Sequence, residues 1–145
     1  MEHKSLAAEL FNKTWDYLDN KVRSSQDDLD MITLAHASLY HWMQVNNPEY
    51  MYIGYWQISR VYAMLNLGDT ALMFAKASLK VCVDHAFEGF NLAYAYEAMA
   101  RSHAINNQKE EAKEYSQRAV DESEKIMKQE HREMLLSDLT SIFEN

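Results

Sequence analysis

The chain has 145 residues, 48% of them apolar and 25% charged, with only three glycines and one proline, which suits one domain with a real core and favours a compact helical protein over a disordered one. Its formal charge of −8 and pI near 5.2 speak against a duplex nucleic-acid partner, which needs a basic face, and suit a basic or amphipathic one. Cys82 is the only cysteine, no apolar run approaches the about 20 residues that span a bilayer, and Met1 to Leu10 lacks the apolar core of a leader, so a cytoplasmic protein without a disulfide framework or a membrane partner is expected.

A first helix is expected over about residues 5–20, with Leu6, Leu10, Trp15 and Leu18 on one stripe. After a polar link over residues 21–26, Ser24 with Asp27, or Ser25 with Asp28, matches a capping box, in which hydroxyl and carboxylate satisfy the free amides of a helix start. The second helix then runs to about residue 44. Asn46-Asn47-Pro48 ends it and opens a third over 48–65, because proline fits the first turn of a helix but not its interior. A fourth helix is expected over 69–84 after the Asn66-Leu67-Gly68 turn, a fifth over 90–106, a sixth over 109–128 and a seventh over 130–143. The reading is all-α: a seven-helix antiparallel α-hairpin array forming one domain, 1–145, with pairs over about 5–45, 48–84 and 90–128 and a capping helix at the end.

Internal repetition supports an array. Ala35-His36-Ala37-Ser38-Leu39 recurs forty residues later as Ala75-Lys76-Ala77-Ser78-Leu79, and Ser116-Gln117-Arg118-Ala119-Val120 follows forty-one after that. The preceding helices repeat on the same period, with Tyr55, Ile58, Ser59, Tyr62 and Ala63 matched by Tyr96, Met99, Ala100, His103 and Ala104. Extending that period outward gives one column of Trp15, Trp56, Glu97 and Asp138 and a neighbouring one of Asp19, Arg60, Arg101 and Ile142.

The stretch Tyr52 to Cys82 resembles a tetratricopeptide repeat. Tyr55, Ile58, Ser59, Tyr62, Asn66, Ala71, Ala75 and Ser78 stand at that family's large, large, small, large, turn, small, aromatic and small positions, with alanine for the usual aromatic and asparagine for the usual glycine. The period is longer than the about 34 residues of the common repeat and resembles the long-helix variants. HASLYHW and GYWQISRVY are also similar to stretches of uncharacterised bacterial proteins of this repeat type. The resemblance implies a short superhelix whose first helices line a concave, ligand-holding surface. It assigns to that surface Ile53, Trp56, Gln57, Arg60 and Met64 together with Tyr94, Glu97, Ala98, Arg101 and Ile105, and Asp138 joins them by the period.

Arg60 and Arg101 admit two readings. Facing a groove, they would grip carboxylates bidentately while Trp56 and Tyr94 add apolar contact, as suits a peptide or its C-terminus. Alternatively each pairs internally with the acid one repeat on, Arg60 with Glu97 and Arg101 with Asp138, fixing register without binding anything. His36 and His41 are five apart and diverge by about 140° at about 3.6 residues per turn, which does not make a metal pair. His103 replaces a packing tyrosine, Cys82 reads as a small buried hydrophobe, and Met31, Met73 and Met99 as core. Glu110, Glu111, Lys113, Glu114 and Arg118 fit the wet face of the sixth helix. The seventh carries Met134, Leu135, Leu136, Leu139, Ile142 and Phe143, a broad apolar face that caps the array or meets a second copy.

Three functions follow as expectations. The leading one is a noncatalytic module that binds a protein or peptide on its concave face through Trp56, Gln57, Arg60, Tyr94, Glu97, Arg101 and Asp138. A homodimer through the seventh helix is the second. The third is an enzyme with a small pocket near Glu97, Arg101, His103 and Tyr62. No phosphate loop, nucleophile elbow, HExxH pair or multi-cysteine metal site is written in the chain, so no cofactor and no metal are expected.

Overall fold

The computed structural model describes residues 2–144, and every regular element among them is helical. The helices are α1 (His3–Asp19), α2 (Ser25–Val45), α3 (Pro48–Met64), α4 (Gly68–Asp84), α5 (Phe90–Ile105), α6 (Lys109–Ser123) and α7 (Gln129–Ile142). None is long and apolar enough to cross a membrane.

Local chemistry sets most of the boundaries. The Ser24 hydroxyl accepts from the Asp27 amide and the Asp27 carboxylate from the Ser24 amide, both at 3.0 Å, so the first of the two possible capping boxes starts α2. Asp28 is left to accept from Arg23 Nε at 2.8 Å. The same guanidinium donates through Nη1 to the Asn20 carbonyl at 2.8 Å and, at 3.3 Å, to the Tyr17 carbonyl, which also accepts from the Asn20 amide at the end of α1. Pro48 opens α3, and the Asn47 side chain accepts from the Glu49 amide at 3.0 Å.

Three of the turns close alike. The amides of Leu67, Phe87 and Gln108 each donate to a carbonyl five residues back, of Tyr62, Cys82 and His103, at 2.9 Å. The residue before each amide is left-handed: Asn66 at φ 61°, Ala86 at φ 54° and Asn107 at φ 58°. Asparagine tolerates that conformation through its short polar side chain, whereas alanine pays the steric cost of its Cβ. Ala86→Gly is therefore expected to raise the unfolding free energy by about 1 kcal/mol. Thermal melting checks this, and an unchanged or lower midpoint would contradict it.

The sequence expectation for α6 is corrected. The helix stops at Ser123, five residues short of the expected Lys128, and the chain turns at Glu124 to Lys128. Ile126 supplies the reason. It is buried among Tyr94, Ala119 and Leu135, and its carbonyl accepts from Arg132 Nη2 at 2.8 Å, which a straight helix would not permit. Gly89, at φ 68°, lies beside this turn and its amide donates to Glu122 Oε2 at 2.6 Å.

Helices α1 and α2, α3 and α4, and α5 and α6 pack as hairpins, joined through α2 with α3 and α4 with α5. In addition α1 packs on α3, α3 on α5 and α5 on α7, whereas the backbones of α2, α4 and α6 stay farther apart, α2 meeting α4 through the edge-on rings of His36 and Phe74, 5.5 Å between centroids. The odd helices thus form a continuous row and the even ones lie behind it. Small side chains make the close approaches possible. Ala71, Ala75, Ala93, Ala95, Ala100 and Ala119 are fully buried, and a Cβ on Gly54 would lie 2.8 Å from Leu39 Cδ1. Ser38 and Ser59 fit the same crevices by donating to the Ala7 and Ala71 carbonyls of the partner helix at 2.8 and 2.9 Å.

Of the three methionines expected in the core, Met31 and Met99 are buried, but Met73 is 58% exposed. The inward face of α4 is Ala71, Ala75, Ser78 and Cys82. At about 100° per residue Met73 points the opposite way from Ala71.

Candidate functional site

The row of odd helices brings the forty-one-residue column together. Trp56 on α3 donates through Nε1 to Glu97 Oε1 on α5 at 3.0 Å. The Trp15 ring on α1 lies 5.9 Å from that of Trp56, and the Tyr94 hydroxyl on α5 donates to Asp138 Oδ2 on α7 at 2.7 Å. Spacing on one period therefore places side chains from four helices in a single cluster.

The two arginines lie at its centre. Arg101 donates through Nε to Glu97 Oε2 at 2.7 Å and through Nη2 to the Asp138 carbonyl and Ser141 Oγ, both at 3.0 Å. Arg60 Nη2 approaches Glu97 Oε2 at 3.5 Å and Asp138 Oδ1 at 3.7 Å. Its guanidinium also lies over the Trp15 and Trp56 rings, 5.7 and 5.5 Å from their centroids. Both arginines are thus engaged inside the protein: Arg60 by the Glu97 carboxylate one repeat on, and Arg101 by Glu97 one turn back on its own helix and by the main-chain carbonyl, not the carboxylate, of Asp138. Two guanidiniums and two carboxylates balance one another.

Burial orders the electrostatics. The Glu97 side chain is 1% exposed, which by itself pushes its carboxyl up; the Arg60 and Arg101 charges and the hydrogen bonds from Arg101 and Trp56 outweigh that and hold it below the usual carboxylate value. Burial, the hydrogen bond to Asp138 and the Asp138 charge push the Tyr94 phenol far up, so it stays a donor. Burial likewise pushes the Cys82 thiol up to about 12, an unreactive state.

Beside this cluster a groove of about 360 Å³ opens on the odd row, lined by Phe11, Trp15, Tyr52, Ile53, Trp56, Phe90, Tyr94, Met134 and Asp138. That volume is at the lower end of ligand pockets, about 300–1,000 Å³. Asp138 is the single charged residue of the lining, and its side chain is 31% exposed.

Six of the seven expected site residues, Trp56, Arg60, Tyr94, Glu97, Arg101 and Asp138, meet in this region, but Trp56, Tyr94 and Asp138 alone face the groove. Gln57 turns toward α1 and donates to the Phe11 carbonyl at 2.9 Å. Phe11, Tyr52, Phe90 and Met134 escaped sequence reasoning, although a signal for three of them was present. One helical turn before the column of Trp15, Trp56, Glu97 and Asp138, the same period reads Phe11, Tyr52, Ala93 and Met134. Its three large members line the groove, and Ala93 is too short to reach it.

Of the groups named for an enzyme pocket, Glu97 and Arg101 meet in the cluster, but Tyr62 and His103 do not join them. Tyr62 meets His36 Nε2 at 2.9 Å. His103 stacks on Tyr115 at 5.6 Å and meets Gln108 Oε1 at 2.7 Å, about 160° round α5 from Arg101 at about 3.6 residues per turn. His41 contacts His3, Nδ1 to Nδ1, at 2.8 Å. Comparison of the chain with models of known protein families, with curated proteins and with solved structures gives no significant match.

Proposed function

We propose that this chain is a noncatalytic interaction module, a tetratricopeptide-like superhelical array that holds a peptide or protein segment in the groove along its odd helices. The observation that carries the reading is the groove itself, an open, aromatic-walled hollow built by four helices on one repeat period. Arg60 and Arg101 belong to its foundation, and the aromatic walls do the binding. The lone, buried Cys82 favours a cytoplasmic setting.

Panning a random peptide display library on the immobilised protein tests the reading. Peptides should be enriched, and Met134→Asn, at a residue 47% exposed, should weaken their binding by about tenfold while leaving the melting temperature unchanged. No enrichment, or binding indifferent to that substitution, would overturn it.

A second reading, a homodimer through α7, draws on Leu136 and Phe143, 37% and 51% exposed at the last helix of the row. Light scattering on dilution separates the two: a monomer at micromolar concentration retires the dimer and leaves the peptide groove standing.

A further inference from the structure

We infer that the segment this groove takes is cationic and amphipathic: an apolar side chain seated among the aromatic rings, with a lysine or arginine beside it reaching Asp138. The inference rests on the groove reading above and adds to it the sign and chemistry of the partner.

Three observations lead there. The first is which charge comes to the surface. The four-membered cluster is neutral as a whole, so the sign felt by a guest is set by the member that faces the groove. That member is Asp138; Arg60 is not part of the lining, and Arg101 is 7% exposed and bonded to three acceptors.

The second is the unused capacity of Asp138. Its Oδ2 accepts from Tyr94, but Oδ1 receives no hydrogen bond from any described residue, Arg60 Nη2 being 3.7 Å away. A carboxylate has about four acceptor sites, so an incoming ammonium finds free lone pairs.

The third is the wall. Phe11, Trp15, Tyr52, Trp56, Phe90 and Tyr94 line it, and aromatic π-systems hold cations over their faces but not carboxylates. Arg60, seated over Trp15 and Trp56, shows that these rings already accept a cation. Over the whole chain the charge of −8 pulls in the same direction. An acidic segment would meet Asp138 and that global charge together.

The tryptophans supply the readout. Trp15 and Trp56 line the groove, whereas Trp42 stacks on Tyr50 at 4.5 Å and is not part of the lining, so the three indole N–H signals of ¹⁵N-labelled protein contain two reporters and one control. Hexylammonium, hexanol and hexanoate, matched in apolar length, are titrated separately. Hexylammonium should shift the Trp15 and Trp56 signals, leave Trp42 in place, and bind at least tenfold more tightly than hexanoate. In Asp138→Asn that preference should fall to within about twofold, since the amide keeps the Tyr94 acceptor but not the charge.

If hexanoate binds as well or better, the partner is acidic and the inference is overturned, with the groove intact. If hexanol equals hexylammonium in the wild type, the groove is purely apolar and the charge assignment fails alone. If none of the three moves Trp15 or Trp56, the groove reading fails with it. The ranking on wild-type protein stands even if the variant does not fold.

Discussion

Glu97→Ala should lower the unfolding free energy by about 3–5 kcal/mol, the usual consequence of removing one partner from a buried ion pair. Glu97 is the hub of the cluster: it accepts from Trp56 and Arg101 and lies 3.5 Å from Arg60. Its loss leaves two largely buried guanidiniums facing each other with only Asp138 to balance them. The Arg60 Nε and Nη2 atoms are already buried without a hydrogen bond, so the loss adds to an existing deficit. Urea unfolding reads the effect directly. The exposed Lys80–Asp84 pair, closer at 2.6 Å, gives the contrast, since Asp84→Asn should cost only about 0.3–0.5 kcal/mol. A loss below about 1 kcal/mol for Glu97→Ala would mean that the cluster does not hold the helices together.

The same residue imposes a pH dependence of known sign. Because the folded carboxyl is held below the ordinary carboxylate value of 4.5, the stability it contributes is complete above that value and is lost as pH falls through the depressed folded one. Glu97→Gln should therefore unfold with a shallower acid dependence below about pH 4.5 than the wild type, and run parallel to it between pH 5 and 7.

Leu135→Ala is the second large effect, about 2–5 kcal/mol. Leu135 is fully buried in the cluster with Tyr52, Cys82, Tyr94, Ile126 and Leu139 and pins α7 to the rest of the protein. The consequence reaches the groove, because α7 has α5 and α6 as its neighbours and carries both Met134 and Asp138. The variant should thus be less stable in urea and also bind groove ligands more weakly than its folded fraction accounts for, as Asp138 loses its fixed place beside Tyr94. Exposed Met134→Asn, by comparison, should affect binding without stability. Equal stability of Leu135→Ala and wild type would show that α7 is not docked as described.

Much of this was legible in the residues. The helical stripes, the Ser24 capping box and Pro48 located the helices, because caps and periodicity act locally. The column of Trp15, Trp56, Glu97 and Asp138 was legible for a different reason. A repeat imposes its period on every helix in the row, so positions forty-one apart become neighbours. Other features depend on three-dimensional detail. The end of α6 is set by where Ile126 must be buried, and nothing in residues 124–128 breaks a helix by itself. Gln57 neighbours Trp56 in sequence, yet about 100° of helical rotation turns it to the Phe11 carbonyl. Ala75, where a tetratricopeptide repeat usually has an aromatic, is fully buried against Ala98 and Met99. The fate of the arginines was open because spacing tells which residues meet, while solvent exposure, which spacing does not encode, tells whether a ligand can reach them.

The relation between helix α3 and helix α5 underlies the groove, the ion cluster and the assignment of both arginines, and one hydrogen bond reports on it. In a NOESY spectrum of ¹⁵N-labelled wild-type protein, the Trp56 indole N–H should show a cross-peak to the Glu97 side-chain methylene protons, as its 3.0 Å bond to Oε1 requires. An assigned Trp56 indole proton with no cross-peak to Glu97, exchanging with water as fast as a free indole, would contradict the account.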